Sequence, residues 1–382
     1  MGDKILLNFS ITKLEDMIEK GNVWYSIHYR QYFDKYVCLY LMGNRAAPLE
    51  RDGVHLVPVG TGRPLYDLLM APLRVYRGAK AFGATHFLTA DLVLAWWHSS
   101  LLRLLTAAPV MVMPVCNPAE ILRTSGKSYS GLPAWVERLF INLSFIGAHK
   151  ILCVKTDRSG VAWVRSTGFE RKLKIVDVLP EEFSAPEFME RLNGCRDDDG
   201  NGRRSNPQVQ LVFVGRLEKE KLVDDLMDAI IRLDQLRKPF FLTIIGDGTA
   251  RPELERRARA AGLSDRIAFT GFLPSGEVAK YLSRSDIFVS PYTGTSLREA
   301  AAAGLAIVAY RLGGIEDLFA DEENCLLAEP HDSKAMADQI ARLIDNPGQR
   351  PELGGKARLL AQTVWSTRAL QLSLREAFEH DV

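Results

Sequence analysis

Cysteine is scarce in this chain, with five in 382 residues, and the five are dispersed: Cys38, Cys116, Cys153, Cys195 and Cys325. Their number is odd, and no two of them form a Cys-x-x-Cys pair. The pattern therefore argues against a disulfide framework and against a structural zinc site. We expect the protein to work in a reducing cytoplasm.

Long uncharged apolar runs are also lacking. The most apolar stretch, Leu88–Cys116, is interrupted by Asp91, His98 and Arg103, whereas a bilayer span needs about 18 or more apolar residues without such breaks. The amino terminus contains an acidic residue, Asp3, and only a short apolar run, which is not typical of a secretory signal. We expect neither a transmembrane helix nor a signal peptide.

The net charge is only +1, but it is distributed unevenly. Residues 1–180 carry 22 lysines and arginines against 14 aspartates and glutamates, a net charge of +8, and the remainder carries 26 against 33, a net charge of −7. The basic half favours an anionic ligand or surface, although a chance excess of solvated side chains explains the same count. Runs of Lys and Arg, or ribbons of basic and aromatic residues, are lacking, which disfavours nucleic acid as a partner.

What the chain does contain is a regular alternation of short apolar runs with longer helical patterns. This alternation is typical of parallel sheets covered by helices on both faces. At roughly 150 residues per domain, the length predicts two such domains. The strands predicted in the first half are Ile5–Phe9, Val37–Met42, Val54–Val59, His86–Thr89, Val110–Val115, Lys150–Val154 and Ile175–Leu179.

A polar, turn-rich segment at 194–207 separates this first Rossmann-like unit from a second one. We predict a first domain at 1–190, a linker or long loop at 191–207 and a second domain at 208–365. The helix predicted at 366–380 is a candidate to cross back onto the first domain. The strands predicted in the second half are Gln210–Val214, Phe241–Ile245, Ile267–Thr270, Ile287–Ser290 and Ala306–Ala309. Two doubly wound domains in tandem predict a ligand cleft between the carboxyl ends of their sheets.

Two strand ends in the second half carry residues suited to phosphate chemistry. Gly215 and Arg216 follow one strand, and Lys221 lies at the start of the next helix. A glycine permits close backbone approach, and two cations near a helix N-terminus suit a diphosphate, although a solvated turn is the alternative. Gly246-Asp247-Gly248 follows the next strand, but it lacks the full Gly-x-Gly-x-x-Gly spacing, which disfavours NAD. Taken alone, this sequence is more often a tight turn than a ligand cradle.

A third strand end leads into Ser296-x-x-Glu299, which fits a helix capping box. In that interpretation Glu299 only reaches back to the cap amide. In the alternative, Glu299 points into the cleft and accepts hydrogen bonds from a vicinal diol such as that of ribose.

These motifs together resemble the donor half of the retaining glycosyltransferases of family 4. The ordered series comprises Gly215-Arg216-Leu217 with Lys221, Ile245-Gly246-Asp247-Gly248, Ala268-Phe269-Thr270-Gly271-Phe272, Ser285 to Pro291, Glu299-Ala300 with Gly304, and Gly313-Gly314. It covers about 100 residues and is far more specific than any single motif. The resemblance implies the α/β fold called GT-B, with two Rossmann-like domains facing across a cleft, and a nucleotide-sugar donor bound by the second domain.

The resemblance also implies roles for individual residues. Arg216 and Lys221 would bind the donor diphosphate, and Glu299 the ribose hydroxyls. The donor site would be completed by Gly215, Gly246, the amides of Gly294, Thr295, Ser296 and Leu297, and a base-facing loop at Phe272 and Leu273. The implied mechanism is front-face substitution with retention of configuration, with no metal or other cofactor. UDP is the donor nucleotide most frequent in the family.

The family usually has a second glutamate eight residues before Glu299, and Pro291 stands there in this chain. That carboxylate normally contacts the donor sugar, so a catalytically silent nucleotide-sugar-binding protein stays open as an alternative to a transferase. A sugar-nucleotide epimerase, which shares the fold but needs its own acid-base residues at the cleft, is the other alternative. On the acceptor side, His98 is the nearest candidate for a polar group at the cleft. A histidine in the core or on a helix surface is the alternative.

The segment 63–80 interleaves Arg63, Arg74, Arg77 and Lys80 with Tyr66, Leu68, Leu69 and Tyr76. One interpretation is a peripheral helix at an anionic membrane that carries a lipid-linked glycan acceptor, at the inner face of the cytoplasmic membrane. A helix that faces the core explains the same pattern. In either case we expect an acceptor of the glycan or lipid-linked glycan class.

Overall fold

The computed structural model of the chain divides into two compact units. The first contains Met1–Phe183 and Thr367–Val382, and the second contains Ser184–Ser366. The structure describes residues 3–19, 25–43, 46–90, 100, 102–106, 108–114, 133–154, 158–177, 188, 191–194, 208–292, 294–312 and 315–379.

The first unit is built on one sheet with the strand order β3-β4-β2-β1-β5-β6-β7-β8 among the described residues. Its strands are β1 Ile5–Lys13, β2 Lys35–Met42, β3 Leu49–Arg51, β4 Val54–Pro58, β5 His86–Thr89, β6 Val110–Val112, β7 Lys150–Val154 and β8 Leu173–Val176. Neighbouring strands are parallel except β3 and β4. The order reverses between β1 and β5, as in other doubly wound sheets.

One face of this sheet is covered by a row of helices. Among the described residues, the helices of the unit are α1 Leu14–Glu19, α2 Pro64–Phe82, α3 Ala134–Gly147, α4 Arg158–Ser166 and, from the far end of the chain, α11 Thr367–Phe378, together with one helical turn at 102–105. Phe87 pairs with Val110, and Val112 pairs with Ile151. Because residues two apart on a strand point to the same face, the core under α2 and the core under α3 and α4 lie on one face of the sheet. Helix α11 covers the other face, where Lys150 donates to the carbonyl of Ala377.

Helix α2 begins with Pro64 in its first turn and ends at Gly83, whose φ of 66° is a left-handed C-cap conformation. Inside it, the Asp67 carboxylate is fully buried. It accepts hydrogen bonds from the amide and hydroxyl of Thr61 at 2.8 Å each, from the amide of Gly62 at 3.0 Å and from Arg74 at 2.8 Å. Burial alone would raise the pKa of Asp67, but the hydrogen bonds from Arg74 and Thr61 outweigh it and the pKa is lowered.

We expect Asp67→Ala to lower the free energy of unfolding by about 3 kcal/mol, because it leaves the Arg74 guanidinium, on a side chain that is only 14% exposed, and the Thr61 amide without their acceptor. Urea unfolding of the full chain, followed by circular dichroism, measures the change. Asp3→Ala, at an exposed position, is the control. Equal midpoints for the two variants would contradict the expectation.

The second unit is built on an all-parallel sheet with the order β11-β10-β9-β12-β13-β14. Its strands are β9 Val209–Val214, β10 Phe240–Ile245, β11 Ile267–Gly271, β12 Ile287–Ser290, β13 Ala306–Tyr310 and β14 Leu326–Ala328. The helices that follow β9 are α5 Val223–Gln235, α6 Arg251–Ala260, α7 Ser275–Arg284, α8 Thr295–Ala303, α9 Ser333–Asp345 and α10 Gln349–Val364. Both faces are covered, since separate apolar clusters fill each side of the strands.

The structure differs from the sequence prediction in several details. Strands β3 and β14 and helix α10 were not predicted, because each is short or weakly patterned: the three-residue strands are too brief for a periodic signal, and α10 contains Pro351 and two glycines. Phe188, placed by sequence in the first domain, and Leu192, placed in the linker, both pack in the core of the second unit. The rest of the predicted linker, 195–207, lies outside the described residues.

Candidate functional site

The candidate site lies where the strand order of the second unit reverses. From β9 the chain proceeds outwards to β10 and β11, and then returns to place β12 on the other side of β9. In open α/β sheets the crevice outside the carboxyl ends at such a reversal is the usual ligand site. The loops after β9, β10 and β12 therefore carry the candidate residues.

The loops after β9 and β10 are joined through their backbones. The amide of Gly215 donates to the carbonyl of Ile245 at 3.0 Å, and the amide of Leu217 donates to the carbonyl of Asp247 at 2.9 Å. A Cβ on Gly246 would lie 1.9 Å from the carbonyl oxygen of Gly215, and the φ of Gly246 is +137°. A side chain is excluded at this position by both space and conformation.

Gly246→Ala is expected to destabilise the second unit by about 2 kcal/mol or more, because the backbone of Gly215 must move to admit a methyl group. Thermal unfolding followed by circular dichroism measures this change. The matched control is Gly276→Ala in the first turn of α7, where an added Cβ meets nothing within 4 Å. A melting curve for Gly246→Ala like that of the control would contradict the argument.

Two cations lie beside these loops. Arg216 is exposed and donates to the Glu220 carboxylate at 2.8 Å. The Nζ of Lys221 lies 3.7 Å from the centre of the Tyr292 ring, which follows β12. Burial lowers the pKa of Lys221, the nearby positive charge of Arg216 lowers it further, and Glu220 opposes both. The pair therefore concentrates positive charge at the reversal of strand order, where an anion would relieve it.

The N-terminus of α8 adds backbone donors next to Tyr292. The helix begins at Thr295 with Gly294 as its N-cap, and no side chain caps it. Ser296 lies in the first turn, so the capping box considered for Ser296 and Glu299 does not form. The amide of Leu297 already donates to the carbonyl of Gly294 at 3.1 Å, which leaves Thr295 and Ser296 as the amides without an intrahelical acceptor that a phosphate could use.

Glu299 lies one turn into α8 and is half-buried. Burial raises the pKa of its carboxyl to about 7, against the lowering effect of Arg298, whose guanidinium lies 5.7 Å from the centre of the Trp365 ring. A carboxyl that is costly to ionise and is not used as a cap is typical of a binding site rather than of a structural ion pair.

The raised pKa predicts a pH-dependent stability cost. Below about pH 4.5 Glu299 is protonated in both states, and as pH rises towards 7 the unfolded state ionises first, so ionisation of Glu299 progressively destabilises the fold. Glu299→Gln removes this cost. We expect the variant to be more stable than the parent by about 2 kcal/mol at pH 8 and to match it at pH 4. Urea unfolding at both pH values checks this, and a difference independent of pH would contradict it.

The predicted base-facing loop follows β11. Phe272 leaves 54% of its surface exposed, whereas Leu273 packs against the core. An exposed aromatic ring at this edge can stack on a base, and Leu273 can only support the loop from below. Gly271, which precedes them, has a φ of +74°.

Sequence reasoning missed three contacts at the site. Tyr292 was not singled out, although an aromatic residue directly after a strand end is a readable signal. Glu220, four residues after Arg216, was not assigned the role that the structure gives it, which is to pair with Arg216. Thr249 was not assigned a contact either. It does not cap α6, whose N-cap is Ala250; its hydroxyl donates to Glu218 at 2.5 Å and so links the two loops a further time.

Some residues of the predicted site lie outside the part of the chain that the structure describes. His98, the candidate polar group on the acceptor side, and Gly313-Gly314, the last pair of the motif series, are among them. Within the residues that are placed, no three His, Cys, Asp or Glu side chains are grouped as metal ligands. In the same part of the chain, no helix has the length and apolar character to cross a bilayer.

Comparison with known proteins places the site in a recognised domain. Residues 197–360 match the family model described as glycosyl transferases group 1. The 2-deoxystreptamine glucosyltransferase of Streptomyces kanamyceticus is 30% identical over 202 residues, which are 50% of this chain and 50% of that protein. The glycogen synthase of Mycobacterium tuberculosis is 32% identical over 172 residues, 44% of this chain and 41% of that protein. The matches thus span about half the length of these curated relatives or less.

Solved structures resemble the chain over nearly its whole length. A sucrose-phosphate synthase from Thermosynechococcus elongatus has a TM-score of 0.74 at 15% identity, with 98% of each chain covered. HepE of Anabaena, solved with UDP and glucose, has a TM-score of 0.68 at 16% identity over 100% of each chain. At these identities the likeness establishes the fold. The chain therefore has the two parallel-sheet α/β domains of the GT-B glycosyltransferases, and its residues 197–360 match the group 1 glycosyl transferase family.

Proposed function

We propose that this protein is a glycosyltransferase that transfers a sugar from a nucleotide-diphosphate sugar to a glycan or lipid-linked glycan, with retention of configuration. The observation that carries the proposal is the convergence of Arg216, Lys221 and the uncapped start of α8 at the reversal of strand order. A diphosphate is the ligand that two cations and helix amides suit best.

The proposed chemistry asks the protein mainly to stabilise a leaving group. The bond between the anomeric carbon and the phosphate oxygen breaks while the acceptor hydroxyl oxygen bonds to the same face of that carbon. The acceptor proton passes to the leaving phosphate oxygen. Arg216, Lys221 and the amides of Thr295 and Ser296 stabilise the negative charge that develops on the diphosphate. Glu299 accepts from the ribose hydroxyls, and Phe272 stacks on the base.

The nature of the donor is proposed from the relatives. Anabaena HepE is solved with UDP-glucose, which supports UDP as the nucleotide of the donor. The scheme needs no metal or cofactor, because the cations of the chain take the role of a counter-ion. We propose a cytoplasmic location, where nucleotide sugars are available.

Pro291 favours a second candidate, a silent nucleotide-sugar-binding protein. Pro291 is buried and stands where the family that this chain resembles has a carboxylate that contacts the donor sugar. Proline offers no side-chain acceptor. Binding of the nucleotide part is unaffected by this residue, so the two candidates differ in turnover rather than in affinity.

Incubation with a panel of labelled nucleotide sugars tests the proposal. We expect slow donor hydrolysis, or transfer to an added acceptor, to fall about 100-fold or more in Arg216→Ala and Lys221→Ala, because each variant removes charge stabilisation from the leaving group. The control is Arg256→Ala, which removes an exposed arginine paired with Glu253 on α6. The anomeric configuration of the product, read by NMR, tests retention.

Each alternative has its own result. Nucleotide-sugar binding by calorimetry without any turnover would overturn the transferase in favour of the silent protein. An isomerised sugar on the recovered nucleotide would identify an epimerase. An equal loss of activity in Arg256→Ala would show that the two site cations have no special role.

A further inference from the structure

The first unit carries an apolar surface that the proposed reaction does not use. We call it the outer layer, and it consists of the solvent-facing sides of α2, the helical segment 102–105 and α3. Ten of the eighteen exposed large apolar side chains in the described residues belong to it. They are Leu65, Tyr66, Leu68, Leu69 and Leu73 on α2, Leu104 and Leu105 on the segment, and Trp135, Leu139 and Ile146 on α3.

These residues share one side of the first unit. On α2, Leu65, Leu69 and Leu73 are four residues apart and thus form one stripe, and Trp135 and Leu139 begin a similar stripe on α3. The opposite sides of both helices are buried on the same face of the sheet, and Leu102 anchors the segment between them in the core under α2. The exposed stripes therefore all point away from the sheet in the same direction.

The large exposed fractions on these stripes are unusual for core-facing helices. Leu65 is 79% exposed, Leu69 77%, Leu104 82% and Trp135 73%. Contiguous apolar patches of this kind mark interaction surfaces in soluble proteins. The alternative considered from sequence, in which the leucines at 65–69 face the core, is therefore wrong for Leu65 and Leu69, because Asp67, Ala71 and Val75 form the buried side of α2 instead.

The charge of the outer layer has only one sign. Its elements contain two acidic residues, Asp67 and Glu137, and both are buried. Arg74 of α2 is mostly buried against Asp67. The other basic residues are exposed: Arg63 and Lys80 at the two ends of α2, Arg77 on the same helix, Arg103 and Arg138. Anionic side chains are thus withdrawn from the surface that displays the leucines.

The C-terminal end of α3 is also electropositive. Lys172 donates to the last carbonyls of the helix, those of Phe145, Ile146 and Ala148, at 2.7 to 2.9 Å, and Arg103 donates to the carbonyl of Ile146 at 3.2 Å. The helix C-terminus, which would otherwise be a negative pole, is thereby covered by cations beside the exposed Ile146.

We propose that the outer layer is a docking surface for an anionic lipid bilayer. Leucine and tryptophan side chains surrounded by exposed cations, without exposed acids, match a bilayer surface in which apolar groups enter the acyl region and cations stay at the head groups. A second copy of the chain fits less well, because a symmetric dimer would place the same cations opposite one another.

This proposal rests on the proposed function and specifies its partner, because the outer layer would hold the first unit at the membrane in which a lipid-linked acceptor resides. The transfer reaction itself does not depend on it. Empty vesicles contain neither donor nor acceptor, so failure to bind them removes the docking surface and leaves the proposed transfer intact.

Flotation of the full-length protein with vesicles tests the proposal. We expect it to float with vesicles of three parts phosphatidylcholine to one part phosphatidylglycerol and to stay behind with phosphatidylcholine alone. Replacing Arg77 and Lys80 by glutamine should weaken the apparent affinity about fivefold for each charge removed. Leu69→Glu should abolish flotation, because it places an acid in the apolar stripe.

The matched control is Leu372→Glu on α11, which changes a leucine that is 58% exposed on the opposite face of the same sheet. It should float like the parent. Both leucine positions are exposed, so thermal melts should show that each variant folds. Flotation that is equal in the two leucine variants, absence of binding to the anionic vesicles, or a dimer in light scattering that Leu69→Glu dissolves would each overturn the proposal.

Discussion

The close approach of Gly246 to the Gly215 carbonyl is the contact on which the candidate site depends. The strand ends of β9 and β10 meet there without any side chain between them, and hydrogen bonds on both sides of the contact hold the two loops in register. Arg216 belongs to the loop after β9, so this backbone contact determines where its positive charge lies in the site. A flexible side-chain contact would hold that charge less well.

In the proposed function, the electrostatics of the candidate site suit a negative charge that the nucleotide supplies. Arg216 uses an exposed partner, Glu220, and such surface pairs contribute little free energy, so an incoming diphosphate can replace it at small cost. Lys221 rests on the Tyr292 ring in surroundings that lower its pKa. Glu299 is held in surroundings that disfavour its ionised form. The charged forms of Lys221 and Glu299 are thus disfavoured in the site alone. A bound nucleotide would stabilise them by providing negative charge for the lysine and hydroxyl donors for the glutamate.

The exposure of acidic side chains differs between the second unit and the outer layer of the first. The described part of the second unit displays many carboxylates in exposed pairs with arginine and lysine, such as the three carboxylates around Arg311. The outer layer of the first unit buries both of its acids and leaves its cations and leucines at the surface. The uneven charge of the sequence therefore has a spatial counterpart in that layer, where charge and apolar area occur together.

The sequence by itself determined the two-domain parallel-sheet architecture of this protein and most of the residues that the structure places around the candidate site. The strands His86–Thr89, Lys150–Val154 and Ile287–Ser290 have the bounds predicted for them, because continuous apolar runs bounded by turn residues are a local signal. Gly215, Arg216, Lys221 and Glu299 were found by their places after strands. Tertiary structure alone decided what these groups contact. It paired Arg216 with Glu220 and Lys221 with Tyr292, placed Thr249 against Glu218, left Glu299 free of the capping box, and turned Leu65 and Leu69 outwards. Such contacts depend on which segments distant in the chain come together when the sheets form, and this information is not contained in the pattern of any one segment.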